Sequence, residues 1–127
     1  MSTPARLEAA IDRLRRSRIF TRQFLPDLTA EEWYWSPPEF TTHVAWQVGH
    51  LAMAEYGLCL YRMRGRQPVD LELMTSSLRK QFSRGTVPEA GAGKYPPAAE
   101  IRATLNRVHA QVLKEAPSFS AEQLKEP

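Results

Sequence analysis

The sequence predicts an all-α bundle, because apolar residues recur at helical steps in three long stretches. Leu7, Ile11 and Leu14 form the first stripe, Val44, Val48, Leu51 and Leu58 the second, and Ile101, Leu105, Val108 and Val112 the third. Each stripe predicts a buried helix face. With 127 residues and 43% apolar content, the chain reads as one domain, 1–127, around a single core.

The first helix starts at Thr3-Pro4, since threonine caps free amides and proline is tolerated at the first helical position. Phe20 and Phe24 continue its packing to near Leu25, where Pro26 ends it. Thr29-Ala30-Glu31-Glu32 has the form of a capping box. It opens a short turn carrying Trp33 and Trp35, stopped by Ser36-Pro37-Pro38 and expected to pack over the bundle's end rather than stack on a ligand. The central helix runs from Thr41 or Thr42 to Gly65, a natural stop after Arg62 and Arg64. Gly49 and Gly57 within it each cost about 1 kcal/mol of helix propensity, which implies a closely approaching neighbour or open space beside His50. Residues 66–97 form an irregular crossover in which Asp70 caps one helix through Phe82, with Leu71, Met74 and Leu78 at helical steps. The last long helix spans Pro97 to Glu115 and is stopped by Pro117, and Ser120-Ala121-Glu122-Gln123 has the form of a second capping box.

Several polar residues stand on or beside these stripes. A histidine placed like His50 commonly just donates to a backbone carbonyl. Glu55 falls between Leu51 and Leu58, so its carboxylate must be neutral, paired, bound to a metal or close to water. His43, Gln47 and His50 follow at i, i+4 and i+7, a spacing that lines a polar groove with two imidazoles and an amide. His109, one step off the third stripe, reads as a flanking or surface residue. The single cysteine, Cys59, excludes an intramolecular disulfide and a cysteine-built zinc site, and its position beside Leu58 and Leu60 suits a buried, inert thiol.

The net charge of +3 does not amount to a nucleic-acid footprint. The run Arg13, Arg15, Arg16, Arg18 and Arg22 is preceded on the same helix by Glu8 and Asp12 and has no nucleic-acid motif beside it, so it reads as a solvated helix face. Without a signal-peptide core or an apolar run of membrane-spanning length, the expected location is the cytoplasm.

The run Val44-Ala45-Trp46-Gln47-Val48-Gly49-His50-Leu51-Ala52 follows a long amphipathic helix and precedes a helix ending in Arg64-Gly65. With Phe82-Ser83-Arg84-Gly85, Tyr95-Pro96-Pro97 and Phe119-Ser120-Ala121-Glu122-Gln123-Leu124, it resembles the DinB-like superfamily over most of the chain. The resemblance implies an up-up-down-down four-helix bundle holding a divalent metal, nickel or zinc, on three histidines. His50 matches one of these ligands. The other two belong to a His-x-x-x-His pair on the fourth long helix, which this sequence lacks. The bundle is therefore expected to be incomplete, with three long helices, truncated at the C-terminus and exposing an apolar seam.

Two functions follow as expectations. One is a metal-dependent transferase, isomerase or hydrolase linked to a low-molecular-weight thiol, with His50 as metal ligand, His43 and Gln47 near it and Glu55 accepting protons or supporting the ligand. The other is a non-catalytic helical module whose seam is covered by a second copy, as a homodimer, or by another helical partner.

Overall fold

A computed structural model describes residues 3–23, 25, 28–36, 42–83, 86, 88 and 95–125. It is all-α, with no strand among the described residues. Helix α1 (Thr3–Arg22) is followed by the short α2 (Ala30–Tyr34). The central helix comprises α3 (Val44–Tyr56), a π-helical turn (Gly57–Tyr61) and α4 (Arg62–Arg64). The crossover carries α5 (Asp70–Leu73) and α6 (Ser76–Phe82). Helix α7 (Ala98–Glu115) runs into a 3₁₀ turn (Ala116–Ser118) and then α8 (Ala121–Lys125).

The core is built on α3 against α7. Ile101, Leu105, Val108 and Val112 are fully buried, as their spacing predicts. The face that α3 turns inward keeps Val48 and Glu55 of the expected stripe but not its leucines. It consists of Ala45, Val48, Gly49, Ala52, Glu55 and Tyr56, whereas Leu51 is 40% and Leu58 58% exposed. Small residues let two backbones approach, and this explains Gly49: a Cβ there would lie 2.5 Å from the Phe82 ring, which is itself fully buried. Gly57 meets open space instead.

Element ends follow local chemistry. Both capping boxes form, Thr29 with Glu32 and Ser120 with Gln123. α1 stops at Arg22, before the expected Leu25, and Phe20 is 64% exposed; Phe24 and Pro26 lie outside the described residues. α3 begins at Val44 rather than at Thr41 or Thr42, because His43 is its cap: Nδ1 accepts the Trp46 N–H at 3.0 Å. Gly65 ends α4 with φ 77°, a conformation that favours glycine. The helix expected over 70–82 is broken at Met74, where the backbone is extended, and Thr75 caps the new start by accepting from Leu78 N–H at 3.1 Å. Trp33 is buried under the Arg102 guanidinium, 5.4 Å from its ring centre, while Trp35 is 66% exposed.

Arg64 ties the far end of the molecule together. Its guanidinium forks to Asp70 (2.8 and 3.0 Å) and to Glu115 (2.9 and 3.1 Å), while Tyr56 Oη donates to Asp70 at 2.8 Å. Burial pushes the Asp70 carboxyl up, but the Arg64 fork, the Gln67 N–H and the Tyr56 hydroxyl outweigh it and bring it down to about 2. Burial, followed by its bond to Asp70, pushes the Tyr56 hydroxyl up to about 12.

Candidate functional site

His50 lies on the second turn of α3, half-buried. Its Nδ1 is 2.8 Å from the Phe82 carbonyl oxygen, and its ring stacks on Trp46 at 4.7 Å between centroids and 8° between planes. A carbonyl only accepts, so Nδ1 carries a proton, and in the neutral imidazole the acceptor is then Nε2. Trp46 is fixed in turn by donating Nε1–H to Thr86 Oγ1 at 3.0 Å. The imidazole is thus held on two sides, with one nitrogen left as an acceptor.

The polar groove expected from His43, Gln47 and His50 does not form. As the cap, His43 precedes the helix and is buried edge-on to Tyr95 (5.1 Å) and Tyr34 (6.0 Å). Gln47 is exposed and donates to Thr42 Oγ1 at 2.9 Å. Tyr95 also stacks on Phe82 at 5.6 Å, so His43 belongs to an aromatic cluster closing this end of the bundle.

The third histidine is equally distant in role. His109 is buried, not flanking, and its Nδ1 lies 3.0 Å from Glu55 Oε2. The other Glu55 oxygen accepts from Arg18 Nη2. All three residues are buried. Of the options open for Glu55, the fold uses pairing: one carboxylate bridges α1 and α7 from the inward face of α3. Arg18, expected on a solvated helix face with its neighbouring arginines, is instead buried; it stands at i+7 from Ile11 and i+4 from Leu14, the spacing that carries it onto the buried stripe of α1. Cys59, one turn beyond Glu55, is half-buried; burial first, and then Glu55, push its thiol up.

The described residues do not fit a metal centre by themselves. All three histidines and the cysteine are described, yet no three His, Cys, Asp or Glu side chains come together among the described residues. A catalytic divalent site needs about three protein ligands. Each of the three histidines already has its Nδ1 bound to a different structural partner.

Against known families, the model of the DinB superfamily matches residues 6–127. The chain belongs to the DinB superfamily. No curated protein and no solved structure matched. In this DinB protein the stretch that carries the family resemblance is also the helix that positions His50, Glu55 and the exposed leucines. No helix among the described residues is long and apolar enough to cross a membrane.

Proposed function

We propose that this DinB protein acts as a helical module that pairs with a second copy through the outer face of the central helix, on α3 and the π-helical turn that follows it. The observation that carries this reading is the exposure of Leu51 (40%) and Leu58 (58%), two turns apart on one face, with Tyr61 (50%) extending the apolar surface toward α4. Contiguous exposed apolar surface marks an interaction site in a globular protein. In a two-fold interface each residue acts twice, so one substitution removes two leucines. At ~1.5 kcal/mol per buried leucine, Leu58→Ser should weaken association on the order of 100-fold. Sedimentation velocity over a concentration series tests it; a wild-type chain that stays monomeric throughout would sink the reading.

A second reading rests on His50. Its Nδ1–H bond to the Phe82 carbonyl is the support that metal-bound imidazoles commonly have, and it leaves Nε2 free to take nickel or zinc. The remaining ligands would then come from outside the described residues. Metal analysis of the purified protein beside His50→Ala tests this; equal metal content in the two would remove His50 from the ligand set.

A further inference from the structure

We infer that the outward face of α1 docks on an anionic lipid surface. Charge distribution gives the first reason. The 20 residues of α1 hold six of the chain's 17 basic residues but only two of its 14 acidic ones, Glu8 and Asp12. The helix therefore carries +4, while the other 11 basic and 12 acidic residues leave the rest of the chain at −1. All of the excess positive charge sits on one helix. Of its six arginines only Arg18 turns inward, to Glu55; Arg6, Arg13, Arg15, Arg16 and Arg22 are exposed.

Helical spacing gathers this charge into a row. Arg6, Arg13, Arg16 and Phe20 follow at i, i+7, i+10 and i+14, on the side away from Leu7, Ile11, Leu14 and Arg18. Arg15 and Ile19, four residues apart, flank the row. Asp12 stands beside it, 2.8 Å from Arg16 and 3.9 Å from Arg15, so one carboxylate serves two guanidiniums. Even with Glu8 and Asp12 both counted, the residues of α1 other than Arg18 carry +3. Such a surface attracts polyanions.

The apolar residues decide which polyanion. Ile19 is 52% and Phe20 64% exposed, side by side at the end of the arginine row. A bilayer meets both kinds of group at once, with anionic headgroups for the guanidiniums and acyl chains just beneath for Ile19 and Phe20. The arginine stems can lie along that apolar layer while their charged ends stay at headgroup level. The phosphate backbone of a nucleic-acid duplex offers no apolar layer into which Ile19 could sink. The face is separate from the outer face of the central helix and from His50.

Co-sedimentation of the full chain with phosphatidylcholine vesicles containing ~30% phosphatidylserine, beside vesicles of phosphatidylcholine alone, tests the inference. Binding to the mixed vesicles should be at least ~10-fold the tighter and should fall between about 0.1 M and about 0.5 M salt. At about 5-fold per arginine, Arg13→Gln with Arg16→Gln should weaken it on the order of 20-fold. Ile19→Ser should weaken it about 10-fold with the salt dependence kept, a loss that charge attraction alone would not produce. These positions are exposed, so the circular dichroism of both variants should match the wild type. No binding to the mixed vesicles, equal binding to both kinds, or full binding by Ile19→Ser would overturn the inference. So would a duplex DNA oligonucleotide that is held more tightly than the mixed vesicles and is indifferent to Ile19→Ser, which would assign the face to nucleic acid.

Discussion

Replacing Gly49 by alanine adds one methyl group to α3 at a point where its carbon would lie 2.5–2.6 Å from Cγ, Cδ1 and Cδ2 of Phe82. The ring has no room to retreat, being fully buried and stacked on Tyr95. Overpacking of this kind costs about 1–3 kcal/mol, and the extreme closeness of the contact places it near the upper end. Alanine regains about 1 kcal/mol of helix propensity, leaving a net loss of about 2 kcal/mol. Gly57→Ala is the control within the same helix. Its Cβ would meet nothing within 4 Å, and the backbone there is helical (φ −63°, ψ −42°), so stability should rise by up to about 1 kcal/mol. Urea unfolding followed by circular dichroism measures both, with midpoints expected to move in opposite directions at unchanged slope. Gly49→Ala combined with Phe82→Leu should recover at least ~1 kcal/mol of the loss, as residues in contact couple. If Gly49→Ala were neutral or stabilising, α6 would not be packed against α3 through Phe82, and the Phe82 carbonyl would not be where His50 needs it.

Glu55→Ala leaves Arg18 and His109 buried without their shared carboxylate and should cost about 3–5 kcal/mol in urea unfolding; replacing all three with apolar residues of similar size should cost far less, because desolvated charges give little net stability. Asp70, held down to about 2 against an ordinary 3.8, contributes stability that is complete above pH 3.8 and disappears as pH falls through 2. That contribution is about 2 kcal/mol, and acid titration of Asp70→Asn should lack this part of the pH dependence. Tyr56, raised from 10.0 to about 12, has the reverse sign: its contribution is complete below pH 10 and is lost as pH rises through 12, which Tyr56→Phe should remove from an alkaline unfolding curve. The Cys59 thiol, pushed up by burial, should react with iodoacetamide more slowly in the folded chain than in urea at the same pH, as read by mass spectrometry.

The helical periods made the fold class legible, and α7 shows why: its apolar residues lie on a single face, so pattern and burial agree. The central helix has two apolar faces, one with small residues on α3 and one carrying Leu51 of α3 and Leu58 of the π-helical turn. Ranking by hydrophobicity selects the leucines, but close packing against α7 and Phe82 selects Ala45, Gly49 and Ala52. The break at Met74 was hidden because Leu71, Met74, Leu78 and Phe82 keep a helical step in the sequence, although in the fold the kink turns Leu71 outward (53% exposed) and buries Leu73 instead. For His50 the sequence could mark the residue but not its partner, because a backbone carbonyl carries no side-chain signature. For Glu55 pairing was one of the options the sequence left open, but its partner was missed, because Arg18 sits in an arginine-rich run that resembles a solvated face while its spacing from Ile11 and Leu14 turns it inward.

These misses converge on one physical point about α3. Its inward face is spent on close backbone approach and on the Arg18–Glu55–His109 bridge, so the large apolar residues are displaced outward beside that bridge. A partner seated on Leu51 and Leu58 would further shield the bridge from water, strengthening it electrostatically while exacting nothing more in side-chain ordering. Association and the stability of the bridge should therefore be linked. Glu55→Gln, which retains shape but loses the charge, should weaken self-association even though Glu55 is buried and lies outside the proposed contact. Leu58→Ser should conversely lower the stability lost on Glu55→Ala, measured by unfolding at matched protein concentrations. Additive effects of the two substitutions would mean that the outer face of α3 and the bridge beneath it act independently.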